Sequence, residues 1–155
     1  MAIQGVSHVG ICVSDLDRSI RFYTEGLGFE LLRSFDIDGE AWANVMEIDR
    51  PLLHSRILRR DRLTIELLQF ESPGHVGASE RRPMNQLGFT HLAVWVDDID
   101  VEAKRVVEFG GTIAESTRTV FDDPGFVARW LYCTDPDGVR LELIEYPDGL
   151  EVALS

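Results

Sequence analysis

The sequence predicts an α+β fold made of two tandem βαβββ modules. Three observations carry that expectation. The stretch GVSHVGICVSDLD, Gly5 to Asp17, returns as GFTHLAVWVDDID, Gly88 to Asp100, so the chain is internally doubled. Each copy passes from a period-two apolar pattern to a helical one. Each half then closes on an apolar run interrupted by a single acid, LTIELLQF in the first and VRLELIEY in the second. The modules are read as 3–70 and 88–147, joined by a linker at 71–87 and followed by a tail at 148–155.

Taken in order, Ser7 to Val13 alternates His8, Gly10 and Cys12 against Val9, Ile11 and Val13, the signature of a strand with two unlike faces. Ser14 or Asp15 caps a helix in which Leu16, Ile20, Tyr23 and Leu27 recur at helical spacing, and Gly26 and Gly28 end it. Phe29 to Phe35 reads as a second strand, Asp36-Ile37-Asp38-Gly39 as a turn, and Ala41 to Ile48 as a third strand. A polar turn at Arg59 to Arg62 leads into the fourth strand, Leu63 to Phe70. Glu71 to Leu87 holds Pro73, Gly74, Gly77 and Pro83, and its length suits a linker that also acts as a lid. In the second module, Thr90 to Val96 is the strand and Asp97 or Asp98 caps a helix that stops at Gly110-Gly111. Ile113 to Thr119, Ala128 to Thr134 and Val139 to Tyr146 are its remaining strands, the last two joined by the hairpin turn Asp135-Pro136-Asp137-Gly138.

Composition narrows the function. The chain has 155 residues, 45% of them hydrophobic, and a net charge of −12, with an isoelectric point near 4.6. A field of that sign repels phosphate backbones and anionic membranes, so nucleic acid and membrane surfaces are not expected partners, and a small-molecule substrate is. Two cysteines, Cys12 and Cys133, lie in strand-like segments without framework spacing. They read as core thiols of a protein in a reducing compartment. No apolar stretch is long enough to span a bilayer and no signal peptide precedes the first strand, so a cytoplasmic location is expected.

The chemistry-bearing residues follow the repeat. The first strand of each module supplies a histidine, His8 and His91, and the last strand a glutamate, Glu66 and Glu142. If a pseudo-twofold relates the modules, the four converge near its axis. Two imidazoles and two carboxylates suit a divalent transition metal that keeps positions open for water or substrate. A lone strand histidine is ordinarily structural. Four such residues at repeat-equivalent places are not ordinary, because a carboxylate among buried strands is costly unless paired or metal-bound. His54 and His75 have no repeat partner and read as surface residues in turn-like or linker sequence. Asp15, Asp17 and Asp97 to Asp100 lack the spacing of a calcium loop and read as helix caps. Gly26 and Gly28 close a helix where a phosphate loop would open one, Ser7 and Cys12 beside His8 are a weak nucleophile signal, and nothing resembles a nucleophile elbow.

Face alternation predicts a lining for the site. Gly10, Cys12, Ala93, Trp95, Leu68, Phe70, Ile144 and Tyr146 share the ligands' faces. Arg33, Arg81, Arg82, Arg118 and Arg129 are candidate anion contacts. Trp42, Trp130, Phe121 and Phe126 are candidates for shaping the entry, with core packing the ordinary role of each.

HVGICVSDLDRSIRFYTEGLGFELL, TIELLQF, THLAVWVDDID and DPDGVRLELIEY together resemble the vicinal oxygen chelate superfamily, over nearly the whole chain. That superfamily takes in glyoxalase I, methylmalonyl-CoA epimerase, extradiol dioxygenases and fosfomycin or bleomycin resistance proteins. The pattern is most similar to bacterial glyoxalase I and methylmalonyl-CoA epimerase. The resemblance implies two modules forming a curved, partly open barrel around a divalent ion (zinc, nickel, cobalt, manganese or iron), with His8, Glu66, His91 and Glu142 as ligands. It further implies a lyase or isomerase that abstracts a proton next to a carbonyl through a metal-stabilised enediolate. Glu142 is the expected base, and Glu66 the second ligand or opposite-face base. Glutathione-dependent members carry an arginine four residues after the first ligand and an asparagine four residues after the second. Cys12 and Phe70 stand there, so glutathione is not the expected substrate. A methylmalonyl-CoA-epimerase-like isomerase is the first alternative, and a ring-cleaving dioxygenase or a non-catalytic drug-binding resistance protein the second. A homodimer is the expected assembly.

Overall fold

The computed structural model describes residues 2–124 and 126–146; the tail at 148–155, like Pro147, lies outside them. The fold is α+β, with two sheets and few helices. The chain divides into two compact units, Met1–Gly77 and Ala78–Ser155.

In the first unit, β1 (Val9–Cys12) leads into helix α1 (Leu16–Arg21), whose N-cap Asp15 accepts the Arg18 amide. One π-helical turn, Phe22–Gly26, extends α1. Its wider winding lets the consecutive rings of Phe22 and Tyr23 both turn inward, where Tyr23 packs edge-on against Phe22 and Phe29. Gly28, at φ +72°, ends the segment. β2 (Glu30–Asp38), β3 (Leu52–Arg60) and β4 (Leu63–Ser72) complete a sheet of order β1-β4-β3-β2. β1 and β4 are parallel neighbours and the other pairs are antiparallel.

The second unit repeats the plan with β5 (Leu92–Trp95), α3 (Ile99–Glu108), β6 (Thr112–Ile113), β7 (Thr119–Asp123), β8 (Phe126–Thr134) and β9 (Arg140–Glu145). Its order is β5-β9-β8-β6, with β7 also paired to β8, and β5 and β9 are again parallel neighbours. Asp98 caps α3 by accepting from the amides of Asp100 and Val101. Asp135 organises the β8–β9 turn by accepting from the amides of Asp137 and Val139.

Both sheets bury one face under a helix. Ile65 and Leu67 lie beneath α1, and Leu131, Cys133, Leu141 and Leu143 beneath Ile99, Ala103 and Val106 of α3. Burial pushes the Cys133 thiol up to about 12, which leaves it protonated and inert. A side chain three residues beyond each glutamate ties the closing strand to the start of the helix. Gln69 Oε1 accepts from the Leu16 amide at 2.6 Å, and Glu145 Oε2 from the Ile99 amide at 2.9 Å.

Four expectations are corrected. Ala41 to Ile48 is not a strand but a 3₁₀ turn, Glu40–Trp42, followed by α2 (Ala43–Met46). The third strand is LLHSRILRR, whose alternation is hidden because Ser55 lies on its buried side and charges sit on the other. β2 runs through Asp38, so the chain leaves the strand at Gly39, φ +116°, rather than turning at Asp36. Ile113 to Thr119 is broken by a 3₁₀ turn at Glu115–Thr117. There Thr117 Oγ1 bonds the Ala114 carbonyl at 2.7 Å and accepts from the Tyr132 amide at 2.9 Å, local bonding that competes with the ladder. Cys12 is exposed rather than a core thiol, because its face of β1 is the open one. Among the described residues no helix is long and apolar enough to cross a membrane.

Candidate functional site

Parallel pairing of first and last strands is what brings histidine to glutamate. Gly10 pairs with Glu66, and Ala93 with Glu142. Each histidine stands two residues before that small partner, on the same strand face, so both repeats use one register. His8 Nε2 lies 2.9 Å from Glu66 Oε2, their side chains 38% and 19% exposed. His91 Nε2 lies 3.2 Å from Glu142 Oε2, at 28% and 14% exposure. These carboxylates are largely out of water while the imidazoles face it.

The surroundings orient both pairs. Ser7 Oγ and Thr90 Oγ1 each sit 3.0 Å from Nδ1 of the histidine that follows them. With the proton on Nε2 the ring donates to the carboxylate and accepts from the hydroxyl; with the proton on Nδ1 it donates to the hydroxyl and leaves the Nε2 lone pair for a cation shared with the carboxylate. The fully buried Ser55 donates to Glu66 Oε1 at 2.6 Å. Tyr132 is paired with Glu142 across β8 and β9, so its phenol stands beside that carboxylate. Burial first, then the neighbouring Glu142 carboxylate, pushes the phenol up to about 12, so it stays protonated. The Tyr132 ring stands edge-on to His91, with centroids 5.5 Å apart.

The donor chemistry fits a divalent transition ion. Each unit offers one imidazole nitrogen with its other nitrogen engaged, and one carboxylate beside it, that of Glu66 held by the Ser55 hydroxyl. Each unit supplies two such groups, and among the described residues no cluster of three or more His, Cys, Asp or Glu stands together.

Of the residues expected as lining, several share a strand face with Glu66 or Glu142. Cys12 pairs with Leu68 on the face of Glu66, and Phe70 lies two residues further along β4. Arg33 pairs with Ile57, which pairs with Glu66, so Arg33 stands in the same row two strands away, exposed. Trp130 pairs with Ile144 on the face of Glu142 and packs against Phe121 and Phe126, while Phe126 also meets Tyr146. Trp95 is exposed, as are Trp42 on the short helical insert and Arg81. Other arginines are already engaged. Arg118 pairs with Asp100 and Glu115, which raises its pKa, chiefly through the Glu115 bond. Arg129 pairs with Glu145 at 2.9 Å, and Arg82 donates to the Phe89 carbonyl.

His54 is not in a turn. It lies in β3, with Nδ1 2.7 Å from Asp36 and Nε2 3.2 Å from Glu71, and those bonds raise its pKa. Sequence reasoning missed Ser55, Tyr132 and the orienting role of Ser7 and Thr90. Only the last left a legible signal, a hydroxyl residue directly before the histidine in both copies.

At 31% identity over 152 residues, the chain is similar to a 2-epi-5-epi-valiolone epimerase of Actinomyces sp., covering 93% of this chain and 80% of that one. It is 31% identical over 140 residues to a probable chloroplastic lactoylglutathione lyase of Arabidopsis thaliana, with 89% of this chain aligned. It spans about a third of that plant protein, 35% of its length. A glyoxalase family protein of Bacillus cereus superposes with a TM-score of 0.79 at 24% identity, covering 94% of this chain and 98% of that one, a likeness of fold. Residues 5–143 match the family described as the Glyoxalase/Bleomycin resistance protein/Dioxygenase superfamily, and the chain belongs to it.

Proposed function

We propose that this protein is a divalent-metal-dependent isomerase or lyase that moves a proton on carbon next to a carbonyl, with His8, Glu66, His91 and Glu142 as the ligands of one ion. The observation that carries the reading is the histidine–glutamate pair formed twice in the same strand register, each histidine with its Nδ1 on a hydroxyl. A bound divalent ion supplies positive charge that stabilises the negative charge developing on substrate oxygen.

The chain's own residues do the rest. Glu142 is the base, set between His91 and its strand partner Tyr132 and only 14% exposed, so little hydration competes with the proton it takes. Glu66, fixed by Ser55, is the equivalent carboxylate of the other repeat. Two equivalent carboxylates suit epimerisation, in which one removes a proton and the other returns it to the opposite face. Similarity to an epimerase over most of both chains supports that choice over a lyase. The rings of Trp130, Phe121, Phe126 and Tyr146 give the face around Glu142 an apolar wall. Cys12 and Phe70, in place of residues that would bind glutathione, support a ketone or thioester substrate without that thiol.

The test is exchange of substrate C–H into deuterated water by metal-loaded protein, over a panel of polyhydroxylated ketones, 2-methylacyl thioesters and thiol hemithioacetals. Exchange that falls by roughly 10²–10⁴-fold in Glu142→Gln is the expected result. Exchange unchanged in that variant, or oxygen uptake with a catechol in place of exchange, contradicts it.

A further inference from the structure

Arg140 is a cation placed where a cation is costly. Its side chain opens β9, two residues before Glu142, and the residue is only 8% exposed, yet among the described residues it forms no ion pair. A buried guanidinium loses its hydration and needs replacement contacts. Those found are a backbone carbonyl, a thioether and an aromatic ring. Nη2 donates to the Arg82 carbonyl, Nη1 stands 3.5 Å from Met84 Sδ, and Cζ lies 5.8 Å from the centroid of Tyr132.

The segment it holds is docked at a second point. Ser79 Oγ is 3.3 Å from Asp137 Oδ1, and the Glu80 backbone runs so close to Gly138 that a Cβ there would lie 2.8 Å from the Glu80 carbonyl carbon. Gly138, at φ +84°, is therefore needed both for the turn and for the approach of residues 79–80. Residues 79–84 are thus seated along the β8–β9 turn and the start of β9.

Arg140 faces the ring that stands beside both His91 and Glu142. Above the Tyr132 face lies the guanidinium, edge-on to the ring lies His91, and Glu142 is the register partner of Tyr132 on the next strand. We propose that Arg140 is a positioning residue, which ties residues 82–84 to the Tyr132 ring and through it sets the orientation of Glu142 and His91 toward a bound divalent cation. This inference rests on the metal-ligand reading of His91 and Glu142. It adds that the segment between the two repeats takes part in organising the second pair.

Cobalt(II) titration of metal-free protein, read by visible absorption, tests it in wild type, Arg140→Met, Tyr132→Phe and the double variant, with urea midpoints recorded separately. Arg140→Met is expected to weaken cobalt binding about tenfold and to shift its absorption bands, at the lower end of what residues that orient metal ligands contribute. Tyr132→Phe is expected to do the same, and the double variant to be no worse than either, because both act through one contact. Should Arg140→Met fail to fold, Arg140→Lys replaces it with the same expectation. Lysine keeps the charge and a reach toward the Arg82 carbonyl, but not the flat face over the ring. Wild-type cobalt affinity and spectrum in the folded arginine variant, or effects that add in the double variant, overturn the inference alone. No cobalt binding by wild type overturns the metal-ligand reading and the inference with it.

Discussion

Replacing Ser55 by alanine removes one atom from a fully buried position and leaves almost no cavity, so its effect isolates a single hydrogen bond. The hydroxyl donates to Glu66 Oε1 at 2.6 Å, a short charge-assisted bond. Bonds of that type contribute about 1.5–3 kcal/mol when one partner is charged. Glu66 is 19% exposed, so water recovers part of this in metal-free protein, and the folding cost is expected to be at the lower end, about 1–2 kcal/mol. With an ion present the bond has a second role. It holds one carboxylate oxygen so that the other, 2.9 Å from His8 Nε2, keeps its direction. Loss of that constraint is expected to weaken metal affinity by about 10–100-fold. Calorimetric titration of metal-free wild type and Ser55→Ala with cobalt(II), alongside urea unfolding, measures both quantities. If Ser55→Ala binds within twofold of wild type while Glu66→Ala loses binding, the hydroxyl does not orient the carboxylate.

Other perturbations give distinct outcomes. Glu145→Ala leaves the Ile99 amide at the head of α3 without its acceptor and is expected to cost about 2–4 kcal/mol in urea unfolding, whereas Glu145→Gln is expected to cost about 1, because Gln69 already fills that role in the first repeat. His54 has its folded pKa raised, first by the bond to Asp36 and then by that to Glu71, so its stabilising contribution is full below its ordinary value of about 6.5 and is lost as pH rises through the raised value. The melting-temperature difference between wild type and His54→Gln is therefore expected to be largest near pH 5.5–6 and to shrink by about pH 9, and a pH-independent difference contradicts that origin.

How much of this was legible depended on whether the signal was local. The doubled strand–helix start carries its own evidence, since period-two and helical patterns and the Asp15 and Asp98 caps all lie within a few residues. His8, Glu66, His91 and Glu142 stand out in the sequence because the repeat places one histidine and one glutamate at equivalent positions of each half; what the folded strands add is the pairing of each histidine with its glutamate. β3 was missed because its alternation sets Leu53 and Ser55 against His54 and Arg56, and a buried serine reads as loop. β7 was missed because Thr117 diverts the chain into a short turn before it. Ser55, Tyr132 and Arg140 owe their roles to partners 11, 10 and 8 positions or more away along the chain, in registers that only the paired strands and the docked segment define. The partners of Arg118 and Arg129 were hidden for the same reason, because Asp100 and Glu145 reach them only in the folded units.

The most direct measurement is metal stoichiometry, by calorimetric titration of metal-free protein with elemental analysis of the loaded form, in wild type and in His8→Ala, Glu66→Ala, His91→Ala and Glu142→Ala. One ion per chain, weakened in all four folded variants, is the result expected if both histidine–glutamate pairs serve a single ion. Two ions per chain, each sensitive to only one pair, or an affinity that none of the four substitutions changes, would contradict it.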